Sequence, residues 1–186
     1  MFSVILLCCQ KGKAYNPFFS HLSDHMCKFD KKYSRLLQFA LWDKLEEVEA
    51  MKIREVNNLA KFLTHLIGEN SLNLTIFKNI SFLDAEKQTI SLVRQTLIAL
   101  LLHPTGTDAV ERIFSVLSAS PKLKVLRQSL RIFILKFIKG KSSSEDTNMT
   151  MLSRRWRLPW RCSAEAAVLG SSVCVCVVCV CVCVCV

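Results

Sequence analysis

The sequence predicts an all-α protein in which antiparallel helical hairpins are stacked into a solenoid. Apolar residues recur at helical intervals through residues 1–140, with charged residues on the opposite faces. Residues 1–149 contain no sustained alternation of apolar and polar residues of the kind that strands display. The predicted connections are short, so neighbouring helices are expected to pack antiparallel. These observations together indicate stacked helical hairpins.

The first two predicted helices meet at an asparagine-proline pair. Residues 2–11 are apolar and are interpreted as a helix, because neither a preceding basic residue nor a small-residue cleavage site supports a signal peptide. Asn16 is a favoured N-cap, and Pro17 fits the first helical position, where its missing N–H would be unpaired anyway. The positions that continue the helical spacing are Phe18, Leu22, His25 and Met26.

Two longer amphipathic helices are predicted next. Asp30 is expected to cap the third helix. The predicted inward-facing residues of that helix are Tyr33, Leu36, Leu37, Ala40, Leu41, Lys44, Leu45 and Val48. The fourth helix is predicted over residues 51–67, with Gly68 as its natural end. Its apolar stripe consists of Ile53, Val56, Leu59, Ala60, Leu63, Leu66 and Ile67.

The fifth and sixth helices are separated by a proline. A single helical turn is predicted over residues 74–78 before them. Asp84 is expected to cap a long helix that ends near Leu102, because Pro104 disfavours helical geometry in the residue before it. Thr107 is predicted to begin the next helix. The inward-facing residues of that helix are Val110, Ile113, Phe114 and Leu117.

The last predicted helix begins with another cap-and-proline signal, Ser120-Pro121. It is expected to run to about Ile138, and Gly140 is a natural end for it. Its predicted apolar residues are Leu123, Leu126, Leu130, Phe133, Ile134 and Phe137.

The chain is expected to divide into three parts. Residues 1–140 form the helical domain, residues 141–172 a linker with a basic aromatic segment, and residues 173–186 a tail of alternating valine and cysteine. An alternating run of G and T in DNA translates as Val-Cys, so the tail is interpreted as a translated dinucleotide repeat. We therefore expect the C-terminal tail to be disordered or artefactual, non-native and without a selected function.

Composition excludes several classes of function. The formal net charge is +10, which suits a partner rich in phosphate or acidic groups. Cys8, Cys9 and Cys27 are the only cysteines of residues 1–149, a pattern typical of a reducing compartment. The chain has five glycines and no glycine-rich phosphate loop or Gly-x-Ser-x-Gly elbow. We therefore predict no catalytic residue, no cofactor and no small-molecule substrate.

The histidines and cysteines give a weak signal for metal binding. His21 and His25 are four residues apart, a spacing that can present two zinc ligands on one helical face, and Cys27 is near. The glutamate of a His-Glu-x-x-His motif is missing after His21. Cys8 and Cys9 are adjacent, so they are expected to point in different directions, and burial in the core is the default for them. No metal site is predicted.

A membrane tether is the alternative interpretation of the C-terminal residues. Residues 166–186 are uncharged and long enough to span a bilayer. The basic aromatic residues ahead of them, which suit a membrane interface or base stacking, are Arg154, Arg155, Trp156, Arg157, Trp160 and Arg161. Gly170, two following serines and the repeat origin of the tail argue against the tether, so a membrane partner is not favoured.

Several motifs resemble those of a known family. They are Tyr15-Asn16-Pro17-Phe18, Phe39-Ala40-Leu41-Trp42-Asp43-Lys44, Asn58-Leu59-Ala60-Lys61, Pro121-Lys122-Leu123 and Val125-Leu126-Arg127. In order and spacing they look like the carboxy-terminal MA-3-type domain of nucleolar proteins that also carry a middle domain of initiation factor 4G, the suppressor of glycerol defect family. The resemblance extends from about Val4 to Ile138. A splicing-related scaffold of the same domain type shares the early part less closely.

The resemblance implies a function as well as a fold. It implies HEAT-like helical hairpins of the MA-3 type, no enzymatic activity, and a location in the nucleus and nucleolus. The implied role is maturation of the small ribosomal subunit and processing of its rRNA. The implied partners are a DEAD-box helicase of the initiation factor 4A type and a pre-ribosomal particle, with contact to RNA as a further option. The alternative function is that of the splicing-related scaffold.

The motif residues themselves are interpreted mostly as structural. Asn16-Pro17 starts a helix, and Tyr15 and Phe18 are expected to staple that start to the core. Trp42 is interpreted as a core residue, Asp43 as a cap, an ion-pair partner or a partner contact, and Asn58 as a further motif position. Residues that contact a partner are not identified. The middle domain and the first helices of the MA-3-type domain are not recognisable in the chain, so Ile5, Leu6 and Phe18 are expected to lack cover.

Overall fold

The computed structural model describes residues 1–82, 84–102 and 107–138, and every regular element in these ranges is helical. The longer helices are α1 (Phe2–Lys11), α2 (Phe18–Phe29), α3 (Lys31–Glu46), α4 (Ile53–Gly68), α5 (Lys87–Leu101), α6 (Thr107–Ala119) and α7 (Lys124–Phe133). Short 3₁₀ helices cover Val48–Ala50, Leu74–Asn79 and Pro121–Leu123, and a π-helical turn, Ile134–Ile138, extends α7. The predicted all-α fold class is confirmed. The predicted helix ends at His103-Pro104 and Gly140, and everything expected of residues 141–186, lie outside the described residues.

Helix α4 is the centre of the fold. It packs against α5 over its largest contact and also against α1 and α2. The successive pairs α2 with α3 and α6 with α7 pack on each other as well, which is the hairpin arrangement that the short connections predicted. The side chains of α4 that are buried in the common core are Val56, Leu59, Ala60, Phe62, Leu63, Leu66 and Ile67. This apolar face is wide because helices cover α4 on several sides.

Two predicted N-caps are present. The Asp30 carboxylate accepts a hydrogen bond from the Lys32 N–H at 2.8 Å, as expected for the start of α3. Asn16 Oδ1 accepts from the Phe18 N–H at 3.0 Å, and the Pro17 carbonyl accepts from the Ser20 and His21 N–H groups. The regular helix therefore begins at the predicted place, with Phe18 as its first assigned residue.

The predicted cap of α5 is wrong. Helix α5 begins at Lys87, and its first N–H groups are bound by Glu49, which lies in the 3₁₀ helix Val48–Ala50. The Glu49 carboxylate accepts from the Gln88 N–H at 3.2 Å and from the Thr89 N–H at 2.8 Å. The Asp84 carboxylate instead accepts a hydrogen bond from the Ser81 hydroxyl at 3.2 Å. A local sequence pattern cannot reveal a cap that comes from 40 residues away along the chain.

The end of α4 follows the prediction in position but uses a different residue. Gly68 is the last helical residue, and Asn70 adopts the left-handed conformation with φ 60°. The Leu66 carbonyl then accepts from both the Ser71 and Leu72 N–H groups. Asparagine tolerates this conformation better than most residues with a side chain, so it reverses the chain here in place of glycine.

Helix α3 is shorter and more exposed than its predicted stripe. It ends at Glu46, and Val48 is buried in the following 3₁₀ helix. Leu37 and Leu41 are completely buried, whereas Leu36 is 52% exposed. Adjacent residues on a helix point about 100° apart, so burying Leu37 and Leu41 turns Leu36 toward solvent. Its inclusion among the inward residues was wrong.

The prediction that Ile5 and Leu6 of helix α1 lack cover is wrong. Ile5 is 9% exposed and Leu6 is completely buried, because α1 packs against α2, α3 and α4. Val4 and Leu7 form part of the exposed apolar face instead, at 62% and 45%. Cys8 and Cys9 point in different directions as predicted, but only Cys9 is buried.

Candidate protein-interaction site

The motif residues fall into two groups. Tyr15, Asn16, Pro17 and Phe18 lie in the connection from α1 to α2 and at the start of α2, where Asn58 of α4 reaches the same connection. Trp42 and Asp43 lie in the C-terminal half of α3. The first group organises a junction of three helices, and the second lies beside a cleft.

Asn58 joins α1 to α4. It is 4% exposed, and its Nδ2 lies 3.3, 3.2 and 3.1 Å from the carbonyl oxygens of Cys9, Gln10 and Gly12. The last carbonyl groups of a helix have no partner within that helix, so the amide of Asn58 satisfies groups that burial would otherwise leave unpaired. Asn58 therefore has a structural role in this fold.

An ion pair lies next to this amide. Lys11 Nζ, at the end of α1, is 2.9 Å from Glu55 Oε1 on α4. The hydrogen bond from Lys11 lowers the pKa of the Glu55 carboxyl, which is itself buried. The pair keeps Glu55 charged at neutral pH and ties α1 to α4 a second time.

The two aromatic residues of the first motif behave differently. Tyr15 is half-buried against the core, its hydroxyl lies 2.6 Å from the Ser20 hydroxyl, and burial raises the pKa of Tyr15. Phe18 is 60% exposed and meets Phe19 edge to face at 5.6 Å. Tyr15 therefore contacts the core as expected. Phe18 does not, so the prediction that Phe18 packs onto the core was wrong.

Trp42 is held between α3 and the 3₁₀ helix Leu74–Asn79. Its Nε1 donates to the Ile76 carbonyl at 3.0 Å, and its ring meets that of Phe39 at 5.5 Å. The Trp42 side chain packs against the core but is only partly buried. The prediction of a core residue is therefore correct only in part. Asp43 is exposed and forms no ion pair with another residue of the described ranges.

A cleft of about 200 Å³ opens beside Trp42, and we call it the acidic cleft. Its described lining residues are Trp42, Leu45, Glu46, Glu49, Asn79, Ile80, Ser81, Asp84, Ala85, Glu86 and Thr89. Four of these are acidic and none is basic, in a chain whose formal net charge is +10. The acidic cleft therefore opposes the average charge of the molecule and suits a cationic side chain of a partner.

Among the acidic residues that line the cleft, Glu49 is held in place by hydrogen bonds. Partial burial favours its neutral form, but hydrogen bonds from Thr89 and Gln88 outweigh burial and lower the pKa of the Glu49 carboxyl. Glu46, Asp84 and Glu86 are exposed at the surface of the chain. A lysine or arginine entering beside the Trp42 ring would meet carboxylates and an aromatic face together, a combination that proteins use to bind cations. No sequence motif indicated this cleft, because its acidic residues come from separate segments of the chain.

A second set of polar contacts links α2 to the end of α4. Asp24 is 6% exposed, pairs with Lys28 at 2.8 Å and accepts a hydrogen bond from the Ser71 hydroxyl. Burial raises the pKa of Asp24, but the hydrogen bonds from Lys28 and Ser71 outweigh it and the net shift is downward. Sequence reasoning missed this buried carboxylate because its partner Ser71 lies 47 residues away.

The residues considered for a metal do not converge. His21 and His25 are exposed, Cys27 is buried, and burial raises the pKa of Cys27 to about 11, which disfavours the thiolate that a metal requires. The His21 ring contacts the ring of His65 at 4.4 Å instead. Within residues 1–82, 84–102 and 107–138, no three His, Cys, Asp or Glu side chains form a group that could hold a metal ion.

No helix in the described parts of the chain combines the length and apolarity needed to cross a membrane. The span considered for a membrane tether, residues 166–186, lies outside those parts.

Comparison with known proteins finds a domain match and relatives of the kind that the motifs indicated. The family model of the MA3 domain matches residues 1–73. This range includes Tyr15, Asn16, Pro17, Phe18, Trp42, Asp43 and Asn58 but not the two motifs between Pro121 and Arg127. The chain is 33% identical over 150 residues to the Nucleolar MIF4G domain-containing protein 1 of Mus musculus, an alignment that covers 78% of this chain and 17% of the relative. It is 34% identical over 100 residues to the Suppressor of glycerol defect protein 1 of Schizosaccharomyces pombe, covering 48% of this chain and 13% of that protein.

A more distant similarity is to a protein named as a splicing factor. The Pre-mRNA-splicing factor CWC22 homolog of Homo sapiens is 25% identical over 89 residues, covering 48% of this chain and 10% of that protein. No solved structure gives a significant match. The chain spans only 10 to 17% of the length of these relatives. Residues 1–73 therefore form an MA3-domain segment, and the chain resembles the nucleolar MIF4G domain-containing and suppressor of glycerol defect proteins, as its motifs indicated.

Proposed function

We propose that the protein is a non-catalytic interaction scaffold of nucleolar ribosome biogenesis that acts in rRNA processing for the small subunit. Its proposed partners are a DEAD-box helicase of the initiation factor 4A type and a pre-ribosomal particle. The observation that carries the proposal is the similarity, over 78% of the chain, to a relative that is named as nucleolar. The proposed binding module is residues 1–140, followed by a linker over 141–172 and a tail over 173–186 that contributes nothing to binding.

The acidic cleft is the proposed contact for the protein partner. Trp42 is oriented by its hydrogen bond to Ile76, and Glu49 is held by the first N–H groups of α5. Side chains that are already ordered lose little conformational freedom on binding, so more of the interaction energy remains for affinity. A basic segment of the partner fits this cleft by charge, and Trp42 offers its cationic side chain an aromatic contact.

A charge-reversal experiment tests this contact. The full chain, carrying an affinity tag, is incubated with a purified DEAD-box helicase of the initiation factor 4A type, and the retained helicase is quantified. We expect the unaltered chain to retain it and the double variant Glu46→Lys, Glu86→Lys to retain little, because like charges then face each other. The double variant Glu69→Lys, Glu111→Lys is the matched control, since it changes the charge equally and both residues are exposed outside the cleft lining.

Failure has two distinguishable forms. If the control and the cleft variant lose binding equally, the acidic cleft is not the contact. If the full chain neither retains the helicase nor sediments with precursors of the small ribosomal subunit, the functional proposal itself is wrong.

A role in splicing is the second candidate, and the similarity to the CWC22 homologue favours it. The two roles predict different companions for the tagged chain in a nuclear extract. Ribosome biogenesis predicts enrichment of precursor rRNA of the small subunit, whereas splicing predicts enrichment of spliceosomal small nuclear RNAs. Sequencing of the co-purified RNA decides between them.

A further inference from the structure

The acidic cleft continues onto an exposed aromatic surface of α3. Trp42 lines the cleft, and its ring contacts that of Phe39 at 5.5 Å with an angle of 78° between the rings. Phe39 is 58% exposed, so an apolar ring lies open to solvent beside a group of carboxylates. An occupant that matches this surface carries cationic and aromatic side chains close together in its sequence.

One segment of this chain has that composition. Residues 154–161 are Arg-Arg-Trp-Arg-Leu-Pro-Trp-Arg, with four arginines, two tryptophans and no acidic residue. The described residues that line the cleft include four carboxylates and no lysine or arginine. The segment and the cleft are therefore complementary in charge. Arginine suits this cleft in particular, because its guanidinium pairs with carboxylates through two hydrogen bonds and also stacks on aromatic rings.

The last described residues of the chain lie near the cleft. The Phe133 ring, at the end of α7, contacts the Phe82 ring at 5.7 Å, and Phe82 directly follows Ser81 of the cleft lining. The Phe137 carbonyl accepts a hydrogen bond at 3.0 Å from Nε of Arg94 on α5, the helix whose first turn lines the cleft. The chain that leads to residues 154–161 therefore starts close to the cleft.

The intervening chain is long enough to bring the segment to the cleft. Residues 139–153 connect Ile138 to Arg154, and a chain of this length can extend to about 50 Å. The sequence predicts a linker in this range, and a short linker holds two groups at an effective concentration on the order of millimolar. A contact with a Kd of about 0.1 mM would therefore be formed in most molecules.

We propose that residues 154–161 bind the acidic cleft of their own chain, and we call them the arginine segment. An arginine enters beside Trp42 and Glu49, its neighbours pair with the exposed carboxylates, and a tryptophan packs on Phe39. A partner that uses the cleft must displace the arginine segment, so the contact is autoinhibitory. That consequence rests on the proposed function, whereas the contact itself does not depend on the helicase.

A fluorescein-labelled peptide of residues 152–161 tests the proposal when it is added to the full chain and followed by anisotropy. We define the glutamine variant of the full chain by the substitutions Arg154→Gln, Arg155→Gln, Arg157→Gln and Arg161→Gln. It should bind the peptide at least about ten-fold more tightly than the unaltered chain, whose tethered segment competes at about millimolar concentration. Its affinity for the peptide should fall as salt rises, because salt screens exposed charges.

Charge reversal shows where the peptide binds. Adding Glu46→Lys and Glu86→Lys to the glutamine variant should abolish binding, because like charges then face each other. Adding Glu69→Lys and Glu111→Lys instead changes the charge equally at exposed positions outside the cleft lining, so most of the binding should remain. Thermal melts verify that every variant is folded.

Three outcomes overturn the proposal. The unaltered chain and the glutamine variant bind the peptide equally, or the two charge reversals weaken binding equally, or light scattering shows that the cleft is closed to the peptide only in dimers. The last outcome would assign the occupant to a second copy of the chain. Because no helicase is present, these results are independent of the helicase retention experiment, and failure of that experiment would not contradict the contact.

Discussion

The segment that matches the MA3 domain and the helices that follow it are held together differently. Among the buried polar side chains of the described residues, Gln10, Ser20, Ser23, Asp24, Glu55 and Asn58 lie within residues 1–73, and Thr96 lies beyond them. In the matched segment, α1, α2 and α4 are joined through an amide and two carboxylates. In α5, α6 and α7 the described contacts are dominated by apolar side chains such as Leu97, Phe114 and Leu130.

This difference determines how each part should respond to mutation. A buried polar contact specifies one arrangement, because removing either partner leaves the other unsatisfied at a cost that water cannot relieve. Apolar packing tolerates exchange of similar side chains and is sensitive mainly to lost volume. The stability of the matched segment should therefore depend on the polar groups of its buried side chains. The stability of the later helices should depend on the volume of their buried side chains.

The largest effect is expected from removing volume in the later helices. Phe114 is 1% exposed on α6, so Phe114→Ala should lower the free energy of unfolding by about 3 to 5 kcal/mol. Phe114→Leu, which retains most of the volume, should cost far less. Urea denaturation of the full chain measures both, and equal losses would show that volume is not what α6 contributes.

A smaller effect, caused by lost hydrogen bonds and not by lost volume, is expected at Asn58. Asn58→Ala should lower the free energy of unfolding by about 1 to 3 kcal/mol, because the last carbonyl groups of α1 lose their buried donor. Asn57→Ala is the matched control on the same helix, since Asn57 is only partly buried and bonds Gln95 at 2.8 Å. Hydrogen exchange should show α1 opening in the first variant alone; protection of α1 in both would contradict the role given to Asn58.

The cap of α5 connects the two parts, because Glu49 of the matched segment binds the first N–H groups of a later helix. Glu49→Ala should lower the free energy of unfolding by about 0.5 to 2 kcal/mol, since the Gln88 and Thr89 N–H groups lose their acceptor. Glu47→Ala serves as the control, because Glu47 is exposed and its pair with the partly exposed Lys44 is worth about 0 to 1 kcal/mol. Faster amide exchange at the start of α5 is the expected signature, and unchanged exchange there would rule out the cap.

Acid should reveal the carboxylates of the matched segment. The pKa values of Asp24 and Glu55 are lowered in the folded chain, so they stabilise it above their unfolded values of about 4, and the stabilisation is lost as the pH falls through the folded values. The melting temperature should therefore drop in acid, and less so in the double variant Asp24→Asn, Glu55→Gln. A double variant with the same acid dependence as the unaltered chain would exclude these two groups.

Local signals predicted much of this fold. Helical periodicity placed α1 to α4 and α6 within a few residues of their observed bounds, and Asp30 caps α3 as expected. The last predicted helix is divided into a 3₁₀ turn, α7 and a π-helical turn, a distinction that apolar spacing does not encode. The motif residues were found by resemblance, but the roles of Asn58 and Trp42 became clear only from their contacts.

The sequence by itself determined the helical class, most helix positions and the resemblance to a family, because periodicity, caps and motifs operate over a few neighbouring residues. Tertiary structure alone decided which faces are covered: Ile5 and Leu6 are buried, whereas Leu36 and Phe18 are exposed. It also decided the cap of α5 by Glu49, the joining of α1 to α4 by Asn58, and the acidic cleft. These features depend on residues about 40 or more positions apart in the chain, and local preferences carry no information about such pairs.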